Sequence, residues 1–332
     1  MHELPETLLN RVKQYSHYRD VDYDRLAARF GADLVTRRLQ GQMKIYDRNE
    51  HRAAHWVKRW MRPVYLGGIR QGLRLSGQLR RARRMARSPE PVLRTEVFPG
   101  LPSGFDGYRI LHLSDFHFDY TPELPGIVEN VLKGLQFDLC VLTGDFRGED
   151  YGPYEESLRA LEITRAALGE SVYAILGNHD NLELMLRFPE MDIHGLLNEG
   201  VWLEREGDRI FLGGIDDPHY YRTHDFSAMR PPVDAADFSI LLAHSPDIFR
   251  EAAAEGFDWM LSGHTHGGQL CLPGGFPLVA HVKNTPRAMI AGDWTFDHLR
   301  GYTSRGVGTS SVDCRLNCRP EITLHELRRA EA

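Results

Sequence analysis

Five apolar, β-rich runs between Gly107 and His266 each stop abruptly at an Asp, Asn or His, and no other feature limits the possible folds as much. Tyr108–Ser114 runs into Asp115-Phe116-His117, and Leu139–Gly144 runs into Asp145. Val172–Gly177 leads to Asn178-His179-Asp180, Phe238–Ala243 to His244, and Trp259–Gly263 to His264-Thr265-His266. Short apolar runs with few alternating polar positions suit strands buried on both faces. Helical patterns lie between several of them, at Leu124–Leu135, Tyr154–Leu168 and from Ser245-Pro246 to about Ala254. Alternation of strand and helix predicts a layered α/β domain, in which ligands bind beyond the carboxyl ends of the strands. All the polar endings fall on that edge, so they can converge across a long stretch of chain.

The converging set is Asp115, His117, Asp145, Asn178, His244, His264 and His266, with His179 beside Asn178. Oxygen and imidazole donors together suit divalent transition ions, with Mn first and Fe, Zn or Co as alternatives. Seven donors exceed what one open site uses, whereas two ions sharing a carboxylate fit the number. Two cations ~3.5–4 Å apart clamp both oxygens of an in-line phosphoryl displacement and acidify a bridging water, so that hydroxide attacks phosphorus. Each fragment alone has a bland reading as a helix cap or a core histidine. Their conjunction in this order does not.

These motifs, Asp115-x-His117, Gly144-Asp145, Gly177-Asn178-His179-Asp180, His244 and Gly263-His264-x-His266, resemble the calcineurin-like metallophosphoesterase superfamily over residues 107–325. The longer string Gly263-His264-Thr265-His266-Gly267-Gly268-Gln269 is similar to its bacterial phosphodiesterase branch, and segments 305–309 and 318–322 resemble its closing strands. The resemblance implies a four-layer α/β/β/α sandwich. It implies that Asp115, His117 and His266 hold one ion, that Asn178, His244 and His264 hold the other, and that Asp145 bridges them. His179 would act as general acid or charge stabiliser, with Asp180 orienting it. The chain departs from the pattern at Gly148, where many relatives carry Asp or Arg, and Arg147 is a candidate substrate contact in its place. Asp216 and His219, in the Gly-rich segment 213–220, are two more candidates for a substrate wall.

Charge divides the chain. Residues 1–95 carry 21 Lys and Arg against 9 Asp and Glu, and residues 96–332 carry 19 against 37. Residues 51–89 hold eleven Lys and Arg and no acid, interleaved with Trp56, Trp60, Tyr65, Ile69 and Leu73. Pro63 and Gly67-Gly68 predict a break into two short helices. Basic amphipathic composition with Trp suits an anionic membrane surface. An arm packed on the acidic domain is the plainer reading, and nucleic acid the less favoured one. Residues 1–95 therefore read as a mainly helical, basic extension and linker, the linker marked by Pro89, Pro91, Pro99 and Pro102, and residues 96–332 as the phosphoesterase domain.

No run of ~18 apolar residues marks a membrane span, and the start lacks a basic segment followed by an apolar one. Cys140, Cys271, Cys314 and Cys318 show no repeated spacing, so free cytosolic thiols are expected, with no catalytic part for Cys271. His112, inside a strand, reads as a core residue. The resulting expectation is a two-metal phosphodiester or pyrophosphate hydrolase, cytoplasmic and peripheral on the inner membrane face. Its substrate would be lipid-linked, as in the superfamily's UDP-2,3-diacylglucosamine hydrolases. The alternatives are a soluble phosphodiesterase or nuclease and a non-catalytic scaffold.

Overall fold

The computed structural model describes residues 4–15, 19–50, 56–229, 238–279, 282 and 285–330, with backbone alone at 48–50 and 56–63. Two six-stranded sheets form its centre. The first runs in the order β1 (Glu90–Phe98), β14 (Glu321–Arg329), β2 (Arg109–Leu113), β3 (Leu139–Leu142), β4 (Val172–Ala174), β5 (His194–Gly195). The second is β12 (Gly292–Phe296), β13 (Leu299–Thr303), β9 (Trp259–Ser262), β8 (Ser239–Leu242), β7 (Asp208–Gly214), β6 (Glu199–Arg205). β2 through β5 are parallel to one another, as are β7, β8 and β9. Their carboxyl ends are where the Asp, Asn and His endings lie.

Both faces of the central strands β2, β3, β8 and β9 are buried, which explains their nearly unbroken apolar runs. Ile110, Leu139, Val141 and Ile175 of the first sheet share a core with Leu212, Ile240, Trp259 and Leu261 of the second. The intervening residues Leu111, Leu113, Cys140 and Leu142 point outward onto α6 (Leu124–Leu132) and α7 (Glu155–Arg165). Across the second sheet, Leu241 and Met260 meet Phe249, Ala252 and Ala253 of α10 (Phe249–Ala254). The result is a helix, sheet, sheet, helix stack, the α/β sandwich the resemblance implied. Ser245 caps the turn before α10 by accepting from the Asp247 amide. His112 is fully buried, with Nε2 2.9 Å from Thr143 Oγ1.

The helical extension comprises α1 (Glu6–Val12), α2 (Tyr23–Phe30), α3 (Ala32–Glu50), α4 (Trp56–Leu75) and α5 (Leu79–Ala86). α2 and α3 part at Gly31, whose φ of +86° only glycine adopts without strain. Val35, Leu39, Met43 and Tyr46 form the buried stripe of α3 and join the core beside α6 and α7. Leu73 and Ala82 of the basic arm are buried against Val312 and Cys314. Arg70 and Arg83 both pair with Asp313, at 3.2 and 2.9 Å, and Arg87 pairs with Glu123. Among the described residues no helix is long and apolar enough to cross a membrane.

Three expectations change. The arm does not break at Pro63 or Gly67-Gly68. α4 runs through them and stops at Gly77 (φ +70°), where the Gln78 amide bonds Leu73 O and the Gly77 amide bonds Arg74 O, a glycine-closed helix end. The facing of Trp56 and Trp60, and residues 51–55, lie outside the described residues. The Pro-rich linker contains β1, an outer strand of the first sheet paired in parallel with β14. Pro91 is tolerated there because an outer strand bonds on one side only. Of the two closing segments, 305–309 is irregular, and 318–322 enters β14 only at Glu321.

Candidate metal centre

Backbone hydrogen bonds zip the strand-end loops together. The amides of Asp115 and His117 donate to the carbonyls of Gly144 and Asp145, the Gly263 amide to His244 O, and Gly308 N to Asp115 O. Asp115, His117, Asp145, His264 and His266 all have φ between +46° and +69°. Non-glycine residues reach this left-handed region at a cost of about 1–3 kcal/mol each, and such strain gathers at functional sites. Gly177 cannot be larger, because a Cβ there would run into the Asp145 carboxylate.

Two triads result. Asp115, His117 and His266 offer ligand atoms within 4.8 Å of one another, as do Asp145, His244 and His264. His117 Nε2 is 3.0 Å from His266 Nε2, and His266 Nε2 is 3.3 Å from Asp115 Oδ1. In the second group His244 Nε2 lies 3.2 Å from Asp145 Oδ2, 3.3 Å from His264 Nδ1 and 3.1 Å from Asn178 Oδ1. Asp145 Oδ2 also lies 3.6 Å from His117 Nε2, so one carboxylate oxygen reaches both groups.

The donor chemistry fits cations. His117 Nδ1 and His244 Nδ1 donate to the carbonyls of Arg147 (2.9 Å) and Thr143 (2.7 Å), which turns their Nε2 lone pairs inward. Buried lone pairs and carboxylates this close repel unless positive charge lies among them. With protons alone to supply it, the titrations diverge. Burial opposes charge on His244, but Asp145 and Asp115 outweigh it and lift its pKa to about 10. Burial lowers His117 to about 4 and, with Asp145 close by, raises Asp115 to about 6.

His179 belongs to neither triad. Its Nδ1 lies 2.6 Å from Asp150 Oδ1, and burial notwithstanding, Asp145, Asp150 and Asp180 raise its pKa to about 10. Asp180 therefore does not orient the ring, as the resemblance implied. Its carboxylate accepts instead from the amides of Asp145, Phe146 and Gly177 at 2.7–2.9 Å, so it binds two loops together.

The three substrate-contact candidates separate. His219 lies at the site, its ring centroid 4.3 Å from that of His264 and its Nδ1 2.7 Å from Asp247 Oδ2. Arg147 is buried, donates to Tyr151 O and supports His117 through its own carbonyl, so its side chain does not line a substrate wall. Asp216 is fully buried between Arg38 and Thr223 and is likewise no wall residue. Gly148 lies under the Tyr120 ring, which stands where the Cβ of a larger residue would go.

Asp150, Asp247 and Arg315 escaped the sequence reading. Arg315, fully buried, donates to the carbonyls of His266, Gly306 and Gly308. A lone Arg or Asp in a loop gives no local signal. The four free cysteines are buried, and the thiols of Cys271 and Cys318 each lie 3.3 Å from a carbonyl of the Gly267 and His266 turn.

Strand-end triads joined by a carboxylate, on this sandwich, define a metal-dependent phosphoester hydrolase with places for two divalent ions. Residues 108–268 match the family described as calcineurin-like phosphoesterase. The chain is 31% identical over 228 residues to the uncharacterized metallophosphoesterase YkoQ of Bacillus subtilis, across 66% of this chain and 83% of that protein. It is 32% identical over 234 residues to the phosphodiesterase YaeI of Escherichia coli, across 66% and 82%. YkuE of Bacillus subtilis, an uncharacterized metallophosphoesterase, is 27% identical over 239 residues, across 69% and 82%. The chain belongs to the calcineurin-like phosphoesterase family.

Proposed function

We propose that this protein hydrolyses a phosphodiester or pyrophosphate bond using two divalent ions, manganese first among the candidates. Asp115, His117 and His266 hold one ion, Asn178, His244 and His264 the other, and Asp145 is shared. The observation that carries this reading is the reach of Asp145 Oδ2 into both triads. When bound, the ions supply Lewis acidity toward phosphoryl oxygens and make water nucleophilic near neutral pH. The chain's own residues orient and protonate. Carbonyls of Arg147 and Thr143 fix the two ring tautomers. His179, with Nδ1 held by Asp150, donates a proton from Nε2 to the leaving oxygen. His219, steadied by Asp247, contacts the substrate at the rim. Turnover of bis-p-nitrophenyl phosphate that disappears on chelation and returns with manganese is expected. A protein that binds ions yet turns over neither this diester nor a nucleotide pyrophosphate is the scaffold alternative.

A finer reading places the substrate on a lipid. Charge complementarity supports it, because residues 51–89 carry eleven cations and no acid. Exposed apolar side chains add to it. Val64 (69%), Tyr65 (60%) and Leu75 (80%) protrude from α4, and Leu272, Phe276 (49%), Leu278 (58%) and Val279 from the hairpin that follows His266. α4 and the base of that hairpin share one small core through Ile69, Leu73, Leu270 and Leu316. An anionic bilayer met at the inner membrane face would therefore lie beside the site. A nucleotide–lipid pyrophosphate of the UDP-2,3-diacylglucosamine type is the first substrate class to screen. Arg74, Arg80 and Arg84 changed together to Glu should reduce cosedimentation with vesicles containing about 30% anionic lipid at least tenfold. Cleavage of the chromogenic diester should not change. Equal sedimentation of the variant removes the lipid reading, and displacement from vesicles by single-stranded DNA moves it to nucleic acid.

A further inference from the structure

We infer that Arg38, in the helical extension, is a positioning residue for the hydrolytic site. Arg38 lies on α3, within the stripe set by Val35, Leu39, Met43 and Tyr46, where the period asks for an apolar side chain. It is fully buried all the same. A buried guanidinium costs several kcal/mol unless it is paired. Here Nη2 carries the hydrogen bonds, Asp216 answers the charge, Nε and Nη1 make no hydrogen bond, and the partners lie on both halves of the site. Nη2 donates to Asp180 O at 3.1 Å and to Gly177 O at 3.4 Å. Those two carbonyls bracket Asn178 and His179, so one nitrogen holds the turn that presents them. Nε lies 3.5 Å from Asp216 Oδ2, and the guanidinium carbon sits 3.3 Å from the centre of the Tyr221 ring.

Asp216 and Tyr221 frame the loop after β7 that carries His219. Within it Asp217 accepts from the amides of His219, Tyr220 and Tyr221. The turn at Gly177 follows β4 of the first sheet, and this loop follows β7 of the second. Arg38 is therefore a brace across the mouth between the two sheets, inserted from outside the matched segment 108–268. One turn further along α3, Gln42 Oε1 accepts from the Leu182 amide at 2.8 Å and its Nε2 lies 3.2 Å from Glu183 Oε2. Tyr23 donates to the other oxygen of Glu183. These contacts keep α3 in register with the turn. The extension thus forms part of the site's support.

Groups hydrogen-bonded to metal ligands are worth about 10–100-fold in metal affinity or activity, and Arg38 acts on the two residues that flank Asn178 and His179. The kinetic arm of the test rests on the hydrolase reading, and the cobalt arm does not. Arg38→Gln should lower kcat for bis-p-nitrophenyl phosphate about 10–100-fold with KM within threefold. Cobalt titration of the chelated full-length protein should show one of two binding steps weakened by a similar factor. Val35→Ala, on the same helix, is the control for mere destabilisation, and its kcat and cobalt binding should stay within twofold at a temperature well below both melting points. If Arg38→Gln does not fold, Arg38→Lys is measured in the same way, since it keeps the charge and loses the planar fork. Wild-type kcat and cobalt affinity in the Arg38 variant overturn the proposal. Equal losses in Val35→Ala do the same. A wild type that binds no cobalt overturns the metal-centre reading along with it, and a wild type that binds cobalt without turnover overturns the hydrolase reading alone.

Discussion

Alanine at His179 should leave both ions bound and slow cleavage of a diester with an alkyl leaving group by about 10²–10⁴-fold, as expected for a lost general acid. The ring lies outside both triads, so the ligand count is unaffected. In the ion-free site Asp145, Asp150 and Asp180 raise its pKa to about 10 against the pull of burial, and Asp150, which belongs to neither triad, stays 2.6 Å from Nδ1 to favour the protonated ring. A p-nitrophenolate leaving group needs little protonation, so the same variant should lose much less on bis-p-nitrophenyl phosphate. That contrast between leaving groups separates proton donation from general damage to the site. Asp150→Asn, which only loosens the ring's anchor, should cost about tenfold on the alkyl substrate. A His179→Ala protein that has lost an ion, measured by plasma mass spectrometry, would make this residue a ligand instead.

Removing the ions should lower thermal stability, and the deficit should widen with pH. Each ion held at a hundred times its dissociation constant contributes about 2.7 kcal/mol. In the chelated protein His244 and His179 titrate near pH 10, above the ordinary histidine value. A group whose folded pKa is raised contributes stability that is complete below its unfolded pKa of about 6.5. That contribution is lost as pH rises through 10. Metal binding has the opposite slope, because His244 must give up its Nε2 proton to become a ligand. The gap in melting temperature between manganese-loaded and chelated protein should therefore grow steadily from pH 6.5 to pH 9.5. A constant gap would mean that His244 is not displacing a proton for an ion. Asp145→Asn should show almost no gap and no detectable turnover, since its carboxylate serves both triads.

The strand-end residues were legible because their chemistry and their period coincide. A run buried on both faces leaves no reason for His244 or His264 other than what lies beyond the strand. Even so, the resemblance misjudged Asp180. Its place beside His179 in sequence suggested a partner, but the Gly177 turn folds its carboxylate back onto three amides. Asp150, which does reach the ring, comes from a different loop with no pattern of its own. β1 was hidden because Pro91 and the flanking Pro89 and Pro99 read as a linker, and nothing local announces that a strand from residue 321 onward will pair with it. Arg38 did leave a trace, a charge at a stripe position of α3, but its meaning depended on loops more than a hundred residues away.

The placing of β14 has a consequence for synthesis. Of the described strands it is made last, yet it fits between β1 and β2, which are made first. Until Glu321–Arg329 leaves the ribosome, one flank of Arg109–Leu113 has no partner, an open edge of the kind that invites pairing with other chains. Roughly two hundred residues separate the two segments, so at translation rates of about 5–20 residues per second a nascent chain must shelter that flank for roughly 10–40 s.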